Sequence, residues 1–366
     1  MMKIKRIFAV TAAAAMFSGI LTGCGNDIQK KNAYKLEDDT VPAVKVETIS
    51  TGGDNIAAVT ENGVLYVWGT NDYGQIGCTT TDYNTLDPVK TMDNVADVEL
   101  GNSFSAAITK DGELYMWGRN VSGQLGIGTS DEDPHFTPVK VLDNVVKVCL
   151  GEYSTAAITE NGDLYVWGGT VKEFSNGGWH GERWEKPVKV LENVSDVSVG
   201  TCAFSALTNE GILYMWGDSS WGEIPKTSTY PVEVTDIQNV KSINMGYQFN
   251  TMIDEKGNLY TWGVNSDNCL GTGKDKDLET PTKILENVIK VDVTLSSSDS
   301  IVNAAITEDN DLYVWGRYEP VPVKRLENIV DVSVEDRYSA VITENGNMYV
   351  ATYGSLSNFE KIEFEE

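Results

Sequence analysis

Apolar residues recur along this chain in short runs, each bounded by a glycine or by an acidic residue beside asparagine. Ser105-Ala106-Ala107-Ile108-Thr109 leads through Asp111-Gly112 into Leu114-Tyr115-Met116-Trp117-Gly118. A glycine-rich loop comes next, then Pro138-Val139-Lys140-Val141-Leu142, an Asp-Asn turn, and Val145-Val146-Lys147-Val148. These residue types suit pleated, half-buried surfaces, so the pattern predicts four short strands per unit. Asn62-Gly63, Asp111-Gly112, Asn161-Gly162 and Asn345-Gly346 supply the positive φ that a tight hairpin turn needs.

The unit repeats along the chain. Trp-Gly stands at Trp68, Trp117, Trp167, Trp216, Trp262 and Trp315, with spacings of 49, 50, 49, 46 and 53 residues. A seventh copy keeps Ile342 to Tyr349 but has Ala351 in place of the tryptophan, only 36 residues after Trp315, because one loop is missing. The Leu-Tyr-x-Trp strand is apolar on both faces, which requires cover on both sides. Seven such units stacked face to face describe an all-β fold, a seven-bladed β-propeller of four-stranded blades. The alanine-rich strand is expected closest to the axis. The seventh unit ends after Lys361-Ile362-Glu363-Phe364 without a fourth strand, and Val44 to Ile49 precedes the first unit as an orphan. Closure is therefore expected through an N-terminal strand completing the last blade, which would remove an exposed edge. Units begin near residues 52, 101, 151, 200, 246, 299 and 335 of a 44–366 propeller.

The best copy runs from Gly101 to Gly126, ending Arg119-Asn120-Val121-Ser122-Gly123-Gln124-Leu125-Gly126; Asn71 to Gly77 is a close second and Asn265 to Gly271 a weaker one. This unit resembles the regulator of chromosome condensation repeat, and the resemblance covers residues 44–366. It implies a seven-bladed propeller. The family's founding member is a nuclear exchange factor for a small GTPase that also binds chromatin, and relatives perform ubiquitin ligation, light sensing and other interaction work, so the fold does not fix the activity. The histidine usual before the first-strand serine is replaced here by Asn55, Phe104, Ser154, Ala203, Phe249, Val302 and Tyr338. No exchange-factor residue is carried over.

The first residues differ from the rest. Lys3, Lys5 and Arg6 precede an apolar run from Ile7 to Ile20, then Leu21-Thr22-Gly23-Cys24. This is the order of an export leader, residues 1–23, and the run is short for a membrane span. The Leu-Thr-Gly-Cys ending resembles a bacterial lipobox, which implies acylation of Cys24, a polar tether over 24–43, and a lipid-anchored chain on the extracytoplasmic side of a bacterial cell membrane. Cys78, Cys149, Cys202 and Cys269 fall at unrelated positions of the repeat and are expected to be isolated thiols.

The chain carries 28 basic and 54 acidic residues; without the leader's three basic residues, 25 minus 54 leaves −29. Such a field repels phosphate backbones, which argues against nucleic acid as a partner. His135 and His180 are the only histidines, and no metal-ligand or nucleophile spacing is present, so no catalytic residue, metal or cofactor is expected. Gly271-Thr272-Gly273-Lys274 lacks the remaining positions of a phosphate loop. The acids at 131–133 and 275–277 do not match the spaced ligands of a calcium loop. The loops after Trp-Gly vary most. The third inserts Gly169 to Glu185 with Phe174, Trp179, His180, Arg183 and Trp184, and the fourth carries Trp221. Exposed loop aromatics mark binding surfaces, while the alternative for these rings is to fold back onto the blades. The chain is read as a monomeric, non-enzymatic module for a surface protein or glycan. An envelope enzyme using loop carboxylates and an exchange-factor-like activity are the alternatives.

Overall fold

The computed structural model describes residues 6–8, 36, 40–79, 84–169, 173–175, 178–180, 183–201, 203–219, 224, 226–295, 301–352 and 358–364. The structure is a ring of seven blades, each an antiparallel sheet of four strands in chain order from the axis outward. Blade 1 comprises Val46–Gly52, Asn55–Thr60, Leu65–Thr70 and Asn84–Met92. Blade 2 comprises Val95–Leu100, Phe104–Thr109, Leu114–Asn120 and Asp131–Leu142. Blade 3 comprises Val145–Leu150, Ser154–Thr159, Leu164–Gly169 and Arg183–Leu191. Blades 4 to 6 begin at Val194, Val240 and Val288 and end at Val234, Leu285 and Leu326. Blade 7 comprises Ile329–Val334, Tyr338–Thr343, Met348–Thr352 and Phe359–Ile362.

Two expectations are corrected here. The alanine-rich strand is the second of each blade, and the valine-rich strand before it lies at the axis. The chain therefore closes without an exchanged strand. Val46–Gly52 is the innermost strand of blade 1, and blade 7 draws all four strands from residues 329–362. The physical reason is the connection. Only Gly53 and Asp54 separate Val46–Gly52 from Asn55–Thr60, and so tight a turn pairs the first strand with the second. An inner strand reaches its preceding outer strand only through another short turn at the blade's far edge, so the sequence order alone fits either partition.

The seam between blades 7 and 1 is held by the contacts that hold the other seams. Val46 N–H donates to the Gly346 carbonyl at 3.1 Å, as Val95 does to Gly63, Val145 to Gly112 and Val194 to Gly162. Between blades, Ile49, Ile56, Ala58 and Trp68 pack on Ala340, Ile342, Met348 and Val350. Tyr66 and Phe364 bring their rings to 5.0 Å. Burying such side chains contributes roughly 1.5–3 kcal/mol each, so this seam needs no shared strand.

The loop motif has a structural task. In blade 2, Asn120 Oδ1 accepts from Leu125 N–H at 3.2 Å and Gln124 Oε1 from Ser122 N–H at 2.8 Å, which folds the loop back. Leu125 is then fully buried, and the Gln124 carbonyl accepts both Trp167 Nε1–H at 2.9 Å and Thr155 Oγ1–H at 2.8 Å from blade 3. Gln75 does the same for Trp117 and Ser105, and Cys269 for Trp315 and Asn303. The glycine ending each loop lies under the next tryptophan: a Cβ on Gly126 would meet Trp167 Nε1 at 2.7 Å. Each of these three loops thus latches the following blade. Blade 6 has only two residues between its third and fourth strands, and blade 7 has Ala351 where a tryptophan would need latching. The missing loop and the missing tryptophan are two halves of one contact.

Candidate functional site: the axial channel and its mouth

Every innermost strand carries a bulge after its first residue, as between Val95 and Asp97 or Val288 and Lys290. The extra residue turns outward, and alternation then aims the third and fifth residues at the axis. The third positions are Thr48, Asp97, Lys147, Asp196, Ser242, Lys290 and Asp331; the fifth are Ser50, Glu99, Cys149, Ser198, Asn244, Asp292 and Ser333. A polar lumen results inside an apolar ring.

Neighbouring blades are tied across this lumen. Lys147 pairs with Asp196, and Lys290 with Asp331. Ser50 Oγ accepts from Leu100 N–H, Ser198 Oγ from Met245 N–H and Ser333 Oγ from Thr51 N–H, each at 2.9 Å. Asp292 Oδ2 accepts from Val334 N–H at 2.6 Å, and Cys149 Sγ–H donates to the Val197 carbonyl at 3.1 Å. In five blades the fifth residue therefore caps a backbone group of the next, and these bonds tie the inner strands together.

Burial dominates the proton affinities here. Glu99 faces the lumen rather than bulk water. Burial, reinforced by Asp97 and Asp292, pushes its carboxyl up to about 8 against the pull of Lys147 and Lys290. Burial likewise raises Asp292 to about 6, against Lys290, and raises Asp97. Glu99 is thus largely a neutral acid at pH 7. Burial also pushes the Cys149 and Cys269 thiols up to about 12, which leaves them unreactive. Cys149 and Cys269 are free thiols, in line with their scattered positions in the repeat, and Cys202 lies outside the described residues. Among the described residues no group of His, Cys, Asp and Glu is arranged to hold a metal ion.

The lumen beside Glu99, Lys290 and Asp292 encloses about 100 Å³, and its mouth, lined by Gly53, Asn102, Glu152, Tyr247 and Glu335, about 120 Å³. Ligand pockets are typically about 300–1,000 Å³, so each of these two spaces is small for a substrate. The mouth lies where each inner strand turns into the second. The Trp-Gly strands end at the same level, since Ser154 pairs with Gly168 and Gly169 N–H donates to the Tyr153 carbonyl. The variable loops therefore rise around the mouth.

The sequence-predicted binding residues separate on this face. In the third blade the loop leaves at Gly169 and returns at Arg183, and these two residues pair. Between them Glu173–Ser175 and Gly178–His180 form a hairpin in which Phe174 stands opposite Trp179 and Glu173 opposite His180. Arg183 is exposed. Trp184 is not: it is half-buried against the cores on both sides of blade 3, with its ring 6.5 Å from Tyr230, so it folds back onto the blades. Trp221 and Cys24 lie outside the described residues. His135 is held by Asp131 at 2.9 Å, and Asp131 also accepts from Thr129 and Asn120, which makes this acid part of the loop's framework.

Known proteins share this architecture. Human WBSCR16 superimposes with a TM-score of 0.71 at 18% identity, over 82% of this chain and 87% of that one. Prp20p of Saccharomyces cerevisiae, whose binding to Gsp1p and histones has been described, gives 0.67 at 19% identity, over 88% and 83%. In sequence, the Ras guanine nucleotide exchange factor C of Dictyostelium discoideum is 35% identical over 92 residues, and an RCC1 repeat-containing protein of the same organism 28% identical over 135 residues. These matches cover 25% and 30% of this chain but only 6% and 28% of the relatives' lengths. The RCC1-like domain model matches residues 18–320, most of the repeats described above, and the chain belongs to the RCC1-like domain family.

Proposed function

We propose that the protein is a non-enzymatic interaction module, tethered by a lipid on Cys24 to the extracytoplasmic side of a bacterial cell membrane, which binds a surface protein or glycan through the mouth-side face. The observation that carries this reading is the third-blade hairpin. Blades 1, 2 and 5 use the loop after Trp-Gly to latch a neighbour, whereas blade 3 builds a strand pair there with Phe174 opposite Trp179. A chain that replaces a latching loop with a strand pair, in which two aromatic residues stand at facing positions, fits a recognition role. The small volume of the channel argues against an enclosed catalytic centre, and the acidic surface against nucleic acid.

The tether and the binding face are tested separately. Cys24→Ala should move the protein from the membrane fraction to the soluble extracytoplasmic fraction, and an unchanged distribution refutes the anchor. Purified leader-free protein added to a nucleotide-loaded small GTPase should leave the release rate unchanged; acceleration would favour an exchange-factor role instead.

A further inference from the structure

The seven outer strands are not equivalent. Relative to the Leu-Tyr-x-Trp strand they share one register: Val67 faces Val89, Met116 faces Val139, Val166 faces Val188, Met215 faces Val232, Thr261 faces Thr282 and Val314 faces Val323. The residue before each of these six partners is a proline, from Pro88 in blade 1 to Pro322 in blade 6. Proline is tolerated there because its missing N–H faces away from the sheet, and it blocks addition of a further strand. In blade 7, Val350 faces Glu360, and the residue before it is Phe359. The seventh edge therefore keeps the outward donor that six edges lack. By alternation, Lys361 presents its backbone outward as well.

This edge is occupied. Arg6–Phe8 lies antiparallel on Phe359–Ile362 as a fifth strand, with Ile7 opposite Lys361 and Phe8 opposite Glu360. Beside it, between blades 7 and 1, a crevice of about 490 Å³ is lined by Ile56, Trp68, Leu86, Val350 and Phe359. Leu86 is 63% exposed, and Thr85 Oγ1 lies buried in the wall without a hydrogen-bond partner. The seated segment reads Arg-Ile-Phe on a chain of net charge −26.

We propose that the outer edge of blade 7 is a strand-addition site for an extended segment of a partner protein in which a cationic residue precedes apolar ones, and that the chain's own Arg6–Phe8 fills it until the leader is removed. Main-chain bonds to the Phe359 and Lys361 positions supply the affinity, and the crevice receives an apolar side chain. The inference rests on the proposed function only for the removal of the leader; the acceptor edge stands whether or not Cys24 is acylated.

The test uses a chain beginning at Cys24, which retains every strand of the seven blades, and a labelled peptide of residues 3–10. Saturable binding by fluorescence anisotropy is expected. Methylation of the Ile7 backbone nitrogen should weaken it at least about tenfold, the equivalent of a lost hydrogen bond, because Ile7 pairs with the outward Lys361. Methylation at Phe8, one residue along, should leave binding nearly unchanged. Phe359→Pro, which gives blade 7 the residue of the other six, should abolish binding, with Phe359→Ala separating loss of the donor from loss of the ring. The full chain should bind the peptide only after Ile7→Pro frees its edge. Absence of saturable binding, equal losses for both methylated peptides, or self-association of the shortened chain through this edge in place of peptide binding overturns the proposal.

Discussion

Replacing Glu99 by glutamine tests the electrostatics of the channel quantitatively. The carboxyl is raised from 4.5 to about 8 by burial and by its acidic neighbours. In the unfolded chain it loses its proton near its ordinary value, so between those pH values the unfolded state releases a proton that the folded state retains. Stability from this group is fully present below about pH 4.5 and is lost as pH rises through about 8. At about 1.4 kcal/mol per pH unit, a displacement of about three and a half units corresponds to a ceiling of about 5 kcal/mol. That displacement already includes Asp97 and Asp292, which raise it, and Lys147 and Lys290, which lower it; water in the lumen screens the ionised carboxylate further, so a differential of about 2–4 kcal/mol is expected. The amide keeps the volume and stays neutral. Urea unfolding followed by tryptophan fluorescence from pH 4.5 to 9 should show Glu99→Gln gaining on the parent chain as pH rises, with the difference flat above pH 8 to 9. The comparison cancels the general repulsion of a chain at −26, which affects both proteins. Parallel stability profiles, or a variant that loses ground at high pH, would refute the reading of Glu99 as a buried neutral acid.

Other expectations come from the latches and the seam. Gly126→Ala forces a Cβ to 2.7 Å from Trp167 Nε1 at a φ of +71° and should cost about 2–4 kcal/mol in chemical unfolding, whereas Gly211→Ala, with nothing within 4 Å of its Cβ, should cost only the strain of its positive φ, about 1 kcal/mol. Trp167→Phe leaves the Gln124 carbonyl with one donor fewer and removes ring contacts; a loss of about 1–3 kcal/mol is expected by the same measurement. Deleting residues up to Gly52 removes the innermost strand of blade 1 and should abolish cooperative unfolding. A shortened chain that still melts as one unit would show that this strand is not needed to hold the ring together.

The number of blades was legible because the Trp-Gly strand recurs with a nearly constant spacing and is apolar on both faces. Which strand opens a blade was not. Turns of similar length join Leu142 to Val145 and Leu150 to Ser154, and only the pairing shows that both lie within the ring while the first one crosses from blade to blade. The lumen escaped sequence reasoning for a related reason. Val145 and Val148 are both buried although they stand three apart, because the bulge at Val146 shifts the alternation by one. Read without that bulge, Lys147 and Cys149 look like an ordinary solvent-facing edge. The proline at six outer strands was visible as Pro-Val-Lys, but its absence at Phe359 gains meaning only from the shared register. The aromatic loop was found from composition; the structure divides it, drawing Trp184 into the blades and pairing Phe174 with Trp179.

The proposed meeting point with a partner is the mouth-side face, with the hairpin after Gly169. Crosslinking on intact cells followed by affinity capture measures this directly, comparing the full chain with one in which residues 170–182 are replaced by a short glycine-serine turn. A discrete protein or glycan should be captured by the full chain and be absent from the shortened one, with the two chains melting alike. Equal capture by both chains, or none by either in native membranes, would contradict it.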